Sequence, residues 1–577
     1  MKYKSLTKTL GFFVGMIGLL PSHSLQAKVH HLTTDIVVVG GGTAGCAMAS
    51  LLSSKFKVVL LDAGTDQSTN PQISVASNNG GLINQVNYFF WELGHWVDTV
   101  NPRNGIPSFQ PGVEARVLGG GSSLNGLQYV RSTAAYFDQL QAITGDSAWG
   151  PTNAFNVYNK IETFNGIPGF FNPAVHGFQG PVNVRQCALN TALAQSFANS
   201  AATVTGVPVI DDYNDPSQPV GPFVNWELTE NPDESREQSF LAYLRGNLKR
   251  KSDTLYKGKN ITLYTKARVE KILFSDDSTP VAKGVRVVIE GDEYIFQAKK
   301  KVVVCAGFQS PVLLQLSGIG EKAMLKGAGI EVVYDNPNVG KNIVNHPIFT
   351  LTASGASIDP NADPQNLYTG GAFLPDPTRA PDDTDRGWQW IGIDGDAPPA
   401  NIVARALYNK SRRPSHVGSP VGSPGGFFTV AGILINAKSK GSIGVVSQNP
   451  IHMPIFQFNY WSDPADLISA VACYTQIYNT LLQMGLTPLP NLPLPGDTTG
   501  IETYLLNTYS QAFHWTGACS MGKSPADGAV VDSSGNVFGV KNLVVCDITI
   551  SPVICRGNTQ GIAYLFGNII AEKILND

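Results

Sequence analysis

The chain has 577 residues, of which 43% are hydrophobic and 15% are charged, and its formal net charge is −3 at pH 7. This length and apolar content are typical of a globular protein with two cooperating domains, and they exclude a disordered chain. The small negative charge, spread thinly along the chain, argues against a nucleic-acid partner.

The first predicted element is an export signal over residues 1–27. Three lysines precede an apolar run from Leu10 to Leu20, and a polar stretch follows and ends at Ala27. This order is typical of a signal peptide, and eleven residues are too few for a membrane helix, which needs about 20. We expect a secreted or periplasmic protein without a stable membrane span. An uncleaved interfacial anchor is the alternative.

Residues 34–64 predict a dinucleotide-binding unit. The segment contains a strand, a glycine-rich turn, a helix and a second strand, at Ile36–Val39, Gly40–Gly45, Ala44–Leu52 and Val58–Leu61. The glycine spacing allows a pyrophosphate to approach the amino terminus of the helix. Asp62 lies 22 positions after Gly40, where a carboxylate can accept hydrogen bonds from a ribose. The same pattern serves NAD and FAD, so this segment leaves the choice between them open.

Further along the chain, residues 116–131 read RVLGGGSSLNGLQYVR and form a second loop rich in glycine and serine. Such a loop can present backbone N–H groups to a phosphate or to a flavin edge, although an ordinary surface loop has the same composition. Residues 261–274 alternate as in a strand pair, and a short buried strand is expected from Val544 to Cys546, just before Asp547. Residues 358–387 are rich in Pro and Asp and predict a long surface loop.

The seven cysteines are scattered and odd in number, and neither CxxC nor HExxH spacing occurs. We therefore predict no disulfide framework and no metal site. A single bridge among Cys519, Cys546 and Cys555 stays open as an alternative.

Five segments in chain order resemble the glucose-methanol-choline (GMC) family of FAD-dependent oxidoreductases, and the resemblance runs from about residue 34 to the end. They are the nucleotide segment at 34–64, the loop at 116–131, AGFQSPVLLQLSGIG at 306–320 with NPNVGKNIVNHP at 336–347, FNYWSDPADL at 458–467, and FHWTGACSMG at 513–522 with the segment at 530–561.

The resemblance implies an α/β fold, in which a Rossmann-like FAD-binding domain is interleaved with an α+β substrate domain built on an antiparallel sheet. The FAD-binding domain would comprise residues 34–165, 236–350 and 501–577. The substrate-binding domain would comprise residues 166–235 and 351–500.

The resemblance also assigns the cofactor and its contacts. The cofactor-binding residues that it implies are Gly40, Gly42, Thr43, Ala44, Gly45, Asp62, Val117, Gly120, Ser123, Asn125, Val269, Asp547 and Ile548. Val269 would contact the adenine through its backbone, and Asp547 would lie near the ribityl chain or the pyrophosphate, although its carboxylate could equally cap the next turn. Choline oxidase, a family member, binds FAD covalently through a histidine where this chain has Leu124. We therefore expect noncovalent FAD.

The resemblance places a catalytic pair at His514 and Asn558. Oxidation of an alcohol transfers a hydride to flavin N5 and a proton to a base, and a neutral imidazole suits the second role because its ordinary pKa is about 6.5. Asn558 would hold the substrate hydroxyl. His346, in the NHP segment, is predicted to be structural. Trp515 stands where many members have proline, which favours an apolar or aryl alcohol.

The leading interpretation is an FAD-dependent alcohol oxidase or dehydrogenase, which passes electrons to oxygen or to a quinone-like acceptor. One alternative is an FAD-containing hydroxynitrile lyase that uses the same base. The other is a secreted FAD-bound binder without enzymatic activity.

Overall fold

The computed structural model describes residues 29–75, 90–98, 108–187, 192–357, 368–380, 383–395 and 426–577. The predicted signal peptide at 1–27 lies outside these described residues. Within them, no helix combines the length and the apolar character needed to cross a bilayer.

The α-helices are α1 Thr43–Leu52, α2 Pro71–Ser74, α3 Ala134–Thr144, α4 Pro151–Ile161, α5 Ala192–Thr205, α6 Ser239–Tyr243, α7 Gln309–Leu316, α8 Lys322–Gly327, α9 Pro464–Gln483, α10 Thr498–Thr508 and α11 Thr559–Asn576. The strands are β1 Val29–Val39, β2 Val58–Leu61, β3 Phe90–Asp98, β4 Ser108–Ala115, β5 Glu162–Asn165, β6 Val182–Gln186, β7 Gly221–Phe223, β8 Glu227–Leu228, β9 Lys249–Arg250, β10 Leu255–Lys257, β11 Ile261–Tyr264, β12 Ala267–Phe274, β13 Ala282–Ile289, β14 Asp292–Val304, β15 Ile319–Gly320, β16 Tyr334–Asp335, β17 Pro347–Ala356, β18 Gly371–Leu374, β19 Trp388–Gly395, β20 Gly426–Leu434, β21 Ser442–Gly444, β22 Ile455–Gln457, β23 Thr487–Pro488, β24 Ser510–Gln511 and β25 Leu543–Val545.

The larger sheet carries the nucleotide segment in a parallel core. Its order is β12-β13-β14-β1-β2-β11-β10-β9, with β25 beside the carboxyl end of β14. Strand β1 is parallel to both β14 and β2, and β11 and β25 extend the parallel region on either side. Strands β2 and β25 and the last four residues of β1 are rich in valine and leucine and buried on both faces, as parallel strands covered by helices require.

The second sheet is antiparallel, in the order β23-β17-β20-β19-β18-β7, with β24 also paired to β17. Helix α9 covers one face, where a Cβ on Gly432 would lie 2.7 Å from Ile477 Cδ1. Side chains alternate along β17, so Phe349 faces this helix and Ile348 belongs to the apolar cluster on the opposite face. That opposite face borders the cavity described below.

The predicted α/β class is confirmed, and the nucleotide segment forms the elements expected of it. Two strands are present over 261–274, but they do not pair with each other: β11 pairs with β2 and β10, and β12 pairs with β13. The strand before Asp547 is also present. The strands of the first sheet come from 29–61, 249–304 and 543–545. Most strands of the second sheet lie between residues 347 and 511, so the first sheet takes strands from before and after them in the sequence. The domain boundaries stay a prediction.

The prediction of a surface loop over residues 358–387 was wrong for part of that segment. Gly371–Leu374 form the buried strand β18 between β19 and β7, and Tyr368 and Arg386 are also buried. The apolar run is too short to indicate a strand on its own, and its neighbours in the sheet supply the pairing. Residues 358–367 and 381–382 lie outside the described residues.

All seven cysteines are buried thiols, and none forms a disulfide. The single bridge that the sequence left open is therefore absent. The cluster of Cys519, Cys546 and Cys555 belongs to the core of the first sheet.

Candidate active site

A single elongated cavity runs from the nucleotide turn to the segment around His514. The space in which the centre of a water molecule can lie has a volume of about 420 Å³. One end is lined by Gly40, Asp62 and Val269, and the other end by His514 and Asn558. The structure thus brings residues that are almost 500 positions apart in the sequence to one enclosed space.

The glycines of the nucleotide turn have different structural roles. Gly40 has a φ of +98°, and a Cβ there would lie 2.4 Å from the Cys305 carbonyl oxygen. A Cβ on Gly45 would lie 1.9 Å from the Gly40 oxygen, so helix α1 must pass close to the turn. At Gly42 the nearest atom to a Cβ would be 3.9 Å away, and this residue lines the cavity. Its backbone is therefore open to a ligand.

The amino terminus of α1 is suited to hold an anion. Gly42 is its N-cap and provides no side-chain cap, and the first turn contains no acidic residue. The first N–H groups of a helix lack partners within the helix and carry its positive dipole end. Thr43 and Ala44 line the cavity beside them. A diphosphate fits this position.

Asp62 ends β2 beside the turn. Its carboxylate accepts the Gly41 N–H at 2.7 Å and the Gly64 N–H at 2.8 Å. Burial raises the pKa of Asp62, and these two hydrogen bonds partly offset the effect. The carboxylate therefore fixes the nucleotide turn, and it lines the cavity where the ribose contact is predicted.

The second glycine-rich loop packs against the first. Gly119 N–H donates to the Gly41 carbonyl at 2.8 Å, and a Cβ on Gly120 would lie 2.7 Å from Gly42 Cα. Ser123 is buried and its hydroxyl bonds to the Leu118 carbonyl and the Gln238 side chain. Val117, Gly120, Ser123 and Gly45 thus lie behind the cavity wall and support it.

Asn125 lines the cavity but uses its amide within the protein. Its oxygen accepts from Arg236 Nη1 at 2.9 Å and from the Leu127 N–H at 3.1 Å, and its nitrogen donates to Gln560 Oε1 at 2.7 Å. The side chain is therefore held rigidly at the wall. Its predicted contact with the flavin ring stays a prediction.

Asp547 joins the end of β25 to the start of α7. Its Oδ2 accepts from the Gly307 N–H at 3.0 Å and from the Ser310 hydroxyl at 2.6 Å, and its Oδ1 accepts from the Thr549 N–H at 2.9 Å. The capping alternative is thus present. Asp547 and Ile548 also line the cavity, as does Val269 at the far end, where the adenine contact is predicted.

His514 lies on the loop after β24, and a strained turn aims it into the cavity. The preceding residue, Phe513, has a φ of +59°, which is uncommon for a bulky residue and is found mostly where structure or function demands it. Asn345 Oδ1 accepts the backbone N–H of His514 at 3.0 Å and that of His346 at 2.8 Å. One amide oxygen therefore positions both histidines.

The hydrogen bonds of His346 fix the tautomer of His514. Nε2 of His346 lies 3.1 Å from the Cys555 carbonyl, which can only accept, so this nitrogen carries the proton. Nδ1 of the neutral His346 must then accept from His514 Nδ1, 2.9 Å away. The remaining nitrogen of His514, Nε2, is left with a lone pair that faces the cavity.

Asn558 completes this arrangement from the start of α11. It is the N-cap residue, yet its side chain makes no capping bond. Its Nδ2 lies 3.3 Å from His514 Nε2, and its Oδ1 accepts from Gln389 Nε2 at 2.8 Å. Asn558 therefore presents an N–H group beside the lone pair of His514.

Both imidazoles are neutral near pH 7. Burial lowers the pKa of His514 to about 4. Burial also lowers the pKa of His346 well below its ordinary value, and the neighbouring His514 lowers it further. A neutral His514 Nε2 can accept a proton from a hydroxyl placed between it and Asn558.

Aromatic rings surround the base. Trp515 and Phe308 line the cavity and pack edge to face, with ring centroids 5.2 Å apart. Phe513 also lines it, and its ring centroid lies 6.0 Å from that of Trp515. Ile348, Ile391 and Ile433 line the cavity from the antiparallel sheet. The substrate end is therefore mainly apolar.

The residues present fit an FAD molecule. A Cβ on Gly42 would have only Gly120 Cα within 4 Å, at 3.9 Å, and one on Gly121 would have no neighbour within 4 Å. Both backbones thus border room for a ligand, beside a free helix amino terminus. Glu114 also lines the cavity, and burial raises its pKa to about 8, which leaves a neutral carboxyl that does not repel a diphosphate.

A parallel sheet with a nucleotide turn, an antiparallel sheet and a buried imidazole in the cavity between them are the arrangement of a dinucleotide-dependent oxidoreductase. Two sequence models described as GMC oxidoreductase match residues 34–348 and 437–567. The chain belongs to the GMC oxidoreductase family, which includes flavin-dependent oxidases and dehydrogenases.

Relatives with assigned activities cover nearly the whole chain. It is 30% identical to the chloroplastic fatty acid photodecarboxylase of Chlamydomonas reinhardtii, over 91% of this chain and 88% of that protein. It is 26% identical to an oxygen-dependent choline dehydrogenase of Brucella anthropi, over 94% and 96%. The structure resembles pyridoxine 4-oxidase from Mesorbium loti, with a TM-score of 0.76, 22% identity, and coverage of 94% and 99%.

Sequence reasoning missed several residues that build the site. Gln389 gave no signal, Asn345 lies in the NHP segment but was not singled out, and His346 was assigned only a structural role, although its ring contacts the ring of His514. The NVGKNIVNHP segment could have indicated His346, because it is one of the segments on which the resemblance rests.

Proposed function

We propose that this protein oxidises the CH–OH group of an alcohol with noncovalently bound FAD, and that His514 is the catalytic base. The single observation that carries the proposal is the lone pair of His514 Nε2, held beside the Asn558 amide in the cavity that begins at the nucleotide turn. The choline dehydrogenase among the relatives supports an alcohol as the substrate class.

The side chains divide the work between orientation and proton transfer. A substrate hydroxyl between the two groups gives its proton to His514 Nε2 and accepts a hydrogen bond from Asn558 Nδ2. Bound FAD supplies the acceptor for the hydride that leaves the carbinol carbon. The imidazolium that forms keeps its Nδ1–H bond to His346, whose neutral ring adds no second positive charge.

Two features support noncovalent binding and export. Leu124 lines the cavity and has no nucleophilic atom that could bond to a flavin. The segment at 1–27 supports delivery to the periplasm or the cell exterior. The electron acceptor in this proposal is oxygen or a quinone-like molecule.

The proposal is tested by anaerobic mixing of purified holoenzyme with a panel of primary alcohols. We expect at least one alcohol to bleach the visible absorbance of the oxidised flavin, at about 450 nm. His514→Gln should retain flavin but lose about 10²- to 10⁴-fold in the bleaching rate, because a general base contributes about this much. Asn507→Asp, a change at an exposed position on α10, serves as the control.

Release of cyanide and benzaldehyde from mandelonitrile, with the flavin still oxidised, would instead support the lyase alternative. Absence of bleaching across the whole alcohol panel would reject alcohol oxidation. Equal bleaching rates in wild type and His514→Gln would reject the assigned base.

A further inference from the structure

Gln389 is a buried amide in an apolar part of the antiparallel sheet. Its side chain is 0% exposed, and its register partners on the two neighbouring strands are Phe373 and Ile433. The adjacent Trp388 and Trp390 donate hydrogen bonds to side chains of α9, so Gln389 lies on the opposite face, which borders the cavity. A buried amide among apolar side chains lowers stability unless it is hydrogen-bonded. Its hydrogen bonds therefore indicate what this residue does.

The hydrogen bonds of Gln389 give its amide one direction. Its Nε2 lies 2.8 Å from Asn558 Oδ1 and 3.4 Å from Gln128 Oε1, and an amide nitrogen has two hydrogens to donate. If the amide were turned over, its own oxygen would lie against both of these oxygens. Gln389 is therefore a donor to Asn558.

The orientation of Asn558 is fixed from its other side as well. The lone pair of His514 Nε2 faces Asn558 Nδ2 at 3.3 Å, so Asn558 Oδ1 faces Gln389. The reverse orientation would require the proton of His514 on Nε2. His346 would then donate from Nδ1 and would leave a lone pair against the Cys555 carbonyl, 3.1 Å away. The direction of the whole chain of hydrogen bonds is thus fixed at that carbonyl.

An Asn558 amide that is held in this way presents an N–H group to the substrate. When the hydroxyl of a bound alcohol loses its proton to His514, negative charge develops on its oxygen. A donor that already faces this oxygen stabilises the charge without reorganisation, whereas a carbonyl oxygen at the same position would repel it. The rate of alcohol oxidation therefore depends on which way the Asn558 amide is turned.

We propose that Gln389 is a positioning residue for alcohol oxidation, which keeps the Asn558 amide turned so that Nδ2 donates to the substrate oxygen. Gln389 acts through Asn558 and does not need to contact the substrate. This inference rests on the proposed function, because it places the reacting hydroxyl between His514 and Asn558.

Gln389→Glu tests the direction of this hydrogen bond, because a carboxyl donates when it is protonated and only accepts when it is ionised. Burial raises the pKa of a carboxyl, so we expect both forms between about pH 5 and 9.5. At the acid end, the flavin reduction rate constant should lie within about threefold of the wild-type value. At the alkaline end, the Asn558 amide turns over and the rate constant should be about 10²-fold lower, which is the usual cost of one lost oxyanion donor.

The groups around Gln389 leave the predicted slope unambiguous. Among the described residues, its hydrogen-bond partners Asn558 and Gln128 do not titrate, and neither do its register partners. The titratable group that Asn558 contacts is His514, whose pKa burial lowers to about 4. If the new carboxylate raised the pKa of His514, the reaction would become slower towards acid pH, which is the opposite slope.

Gln389→Met keeps the approximate size of the side chain and removes the donor. It should lower the reduction rate constant about three- to tenfold at every pH, as the loss of one net hydrogen bond does. The same change should have no effect in an Asn558→Ala background, because Gln389 acts through Asn558. Gln139→Glu, the same chemical change as in Gln389→Glu at an exposed position on α3, should behave as wild type.

Rapid anaerobic mixing of each holoenzyme with an alcohol measures the rate constants, and the flavin content of each variant checks that it is folded. If no alcohol reduces the wild-type flavin, the proposed function fails and the inference falls with it. If alcohols do reduce it, a loss in Gln389→Glu that does not vary with pH overturns the inference, and so does the absence of any loss.

The comparison of the Gln389→Met change in the two backgrounds is the second criterion, and it decides the matter if Gln389→Glu does not fold. An equal loss with and without the Asn558 side chain would show that Gln389 supports only the fold, and it would overturn the inference.

Discussion

At the scale of single residues, the site depends on which nitrogen of His514 carries a proton. A main-chain carbonyl at Cys555 sets the tautomer of His346, and this ring in turn sets that of His514. A carbonyl oxygen fixes the tautomer because it accepts hydrogen bonds and never donates one. Among the described residues, the imidazole proposed as the base is thus oriented without a carboxylate partner, which would raise its pKa and favour the protonated form.

This arrangement predicts how activity depends on pH. Burial lowers the pKa of His514 to about 4, so the neutral base is present throughout the range above it. We expect kcat/KM for an alcohol to be constant from about pH 6 to 8, an interval in which His514 is neutral. It should fall tenfold per pH unit once the pH drops below about 4, where His514 binds a proton.

Initial rates measured from about pH 3.5 to 8, a range that includes the expected pKa of His514, check this profile, with flavin fluorescence as a control for release of the cofactor. An inflection near the ordinary histidine pKa of about 6.5 would show that His514 is solvated in the working enzyme and would contradict the expectation.

At the scale of elements, the glycines of the turn before α1 serve two different purposes, which are chain packing and ligand binding. Gly45 is required by the fold, because a Cβ there would lie 1.9 Å from the Gly40 carbonyl oxygen. Gly42 is not required by the fold, because the nearest atom to a Cβ there would be Gly120 Cα at 3.9 Å, an ordinary contact distance, and the residue lines the cavity. The pair therefore offers a matched comparison between packing and ligand binding.

We predict that Gly42→Ala folds but binds FAD at least about tenfold more weakly, because its methyl group occupies space next to the helix amino terminus. Its loss of stability should stay near 1 kcal/mol, the usual cost of alanine at an N-cap. Gly45→Ala should unfold or aggregate, because the clash involves backbone atoms.

Flavin titration of apoprotein, with fluorescence quenching as the signal, gives the affinity, and thermal unfolding of the apoproteins gives the stability. Wild-type affinity in Gly42→Ala would mean that the cofactor does not approach this backbone.

At the scale of the whole molecule, a buried ionic cluster ties the segment after the second glycine loop to the strands near residue 227. Glu162 accepts hydrogen bonds from both Arg131 and His176. The other ring nitrogen of His176 lies 2.9 Å from Asp212 Oδ2. Burial lowers the pKa of His176, but the hydrogen bonds to Asp212 and Glu162 outweigh it and raise this pKa to about 9.

A histidine whose pKa is higher in the folded state stabilises the fold where it is protonated. Its contribution should be complete below about pH 6.5, its ordinary pKa, and should be lost as the pH rises through about 9. The full effect is on the order of 3 kcal/mol by linkage.

His176→Gln should therefore lower the unfolding midpoint at pH 6 by more than it does at pH 9.5, two values on either side of the transition. Denaturant unfolding with saturating FAD measures both differences, and the comparison between variants cancels the titration of other groups. A difference independent of pH would show that His176 is neutral in the folded protein.

Local sequence was enough to predict the elements that carry the cofactor. The strand, turn, helix and strand over 36–61 follow from glycine spacing and runs of valine and leucine, because these features act between neighbours in the chain. His514 and Asn558 were identified by resemblance, and the structure places both in the cavity that begins at Gly40. The short strand at 371–374 was missed because its pairing partners, not its length, make it a strand.

Patterns within short segments were enough to predict the nucleotide fold and the two side chains expected to act on the substrate, and five such segments together indicated the family. The partners that hold those side chains, in contrast, come from distant parts of the chain. His346 contacts His514 across 168 positions, and Gln389 contacts Asn558 across 169. Such contacts depend on the register of β17, β19 and β20 and on where α11 begins, which no local periodicity encodes.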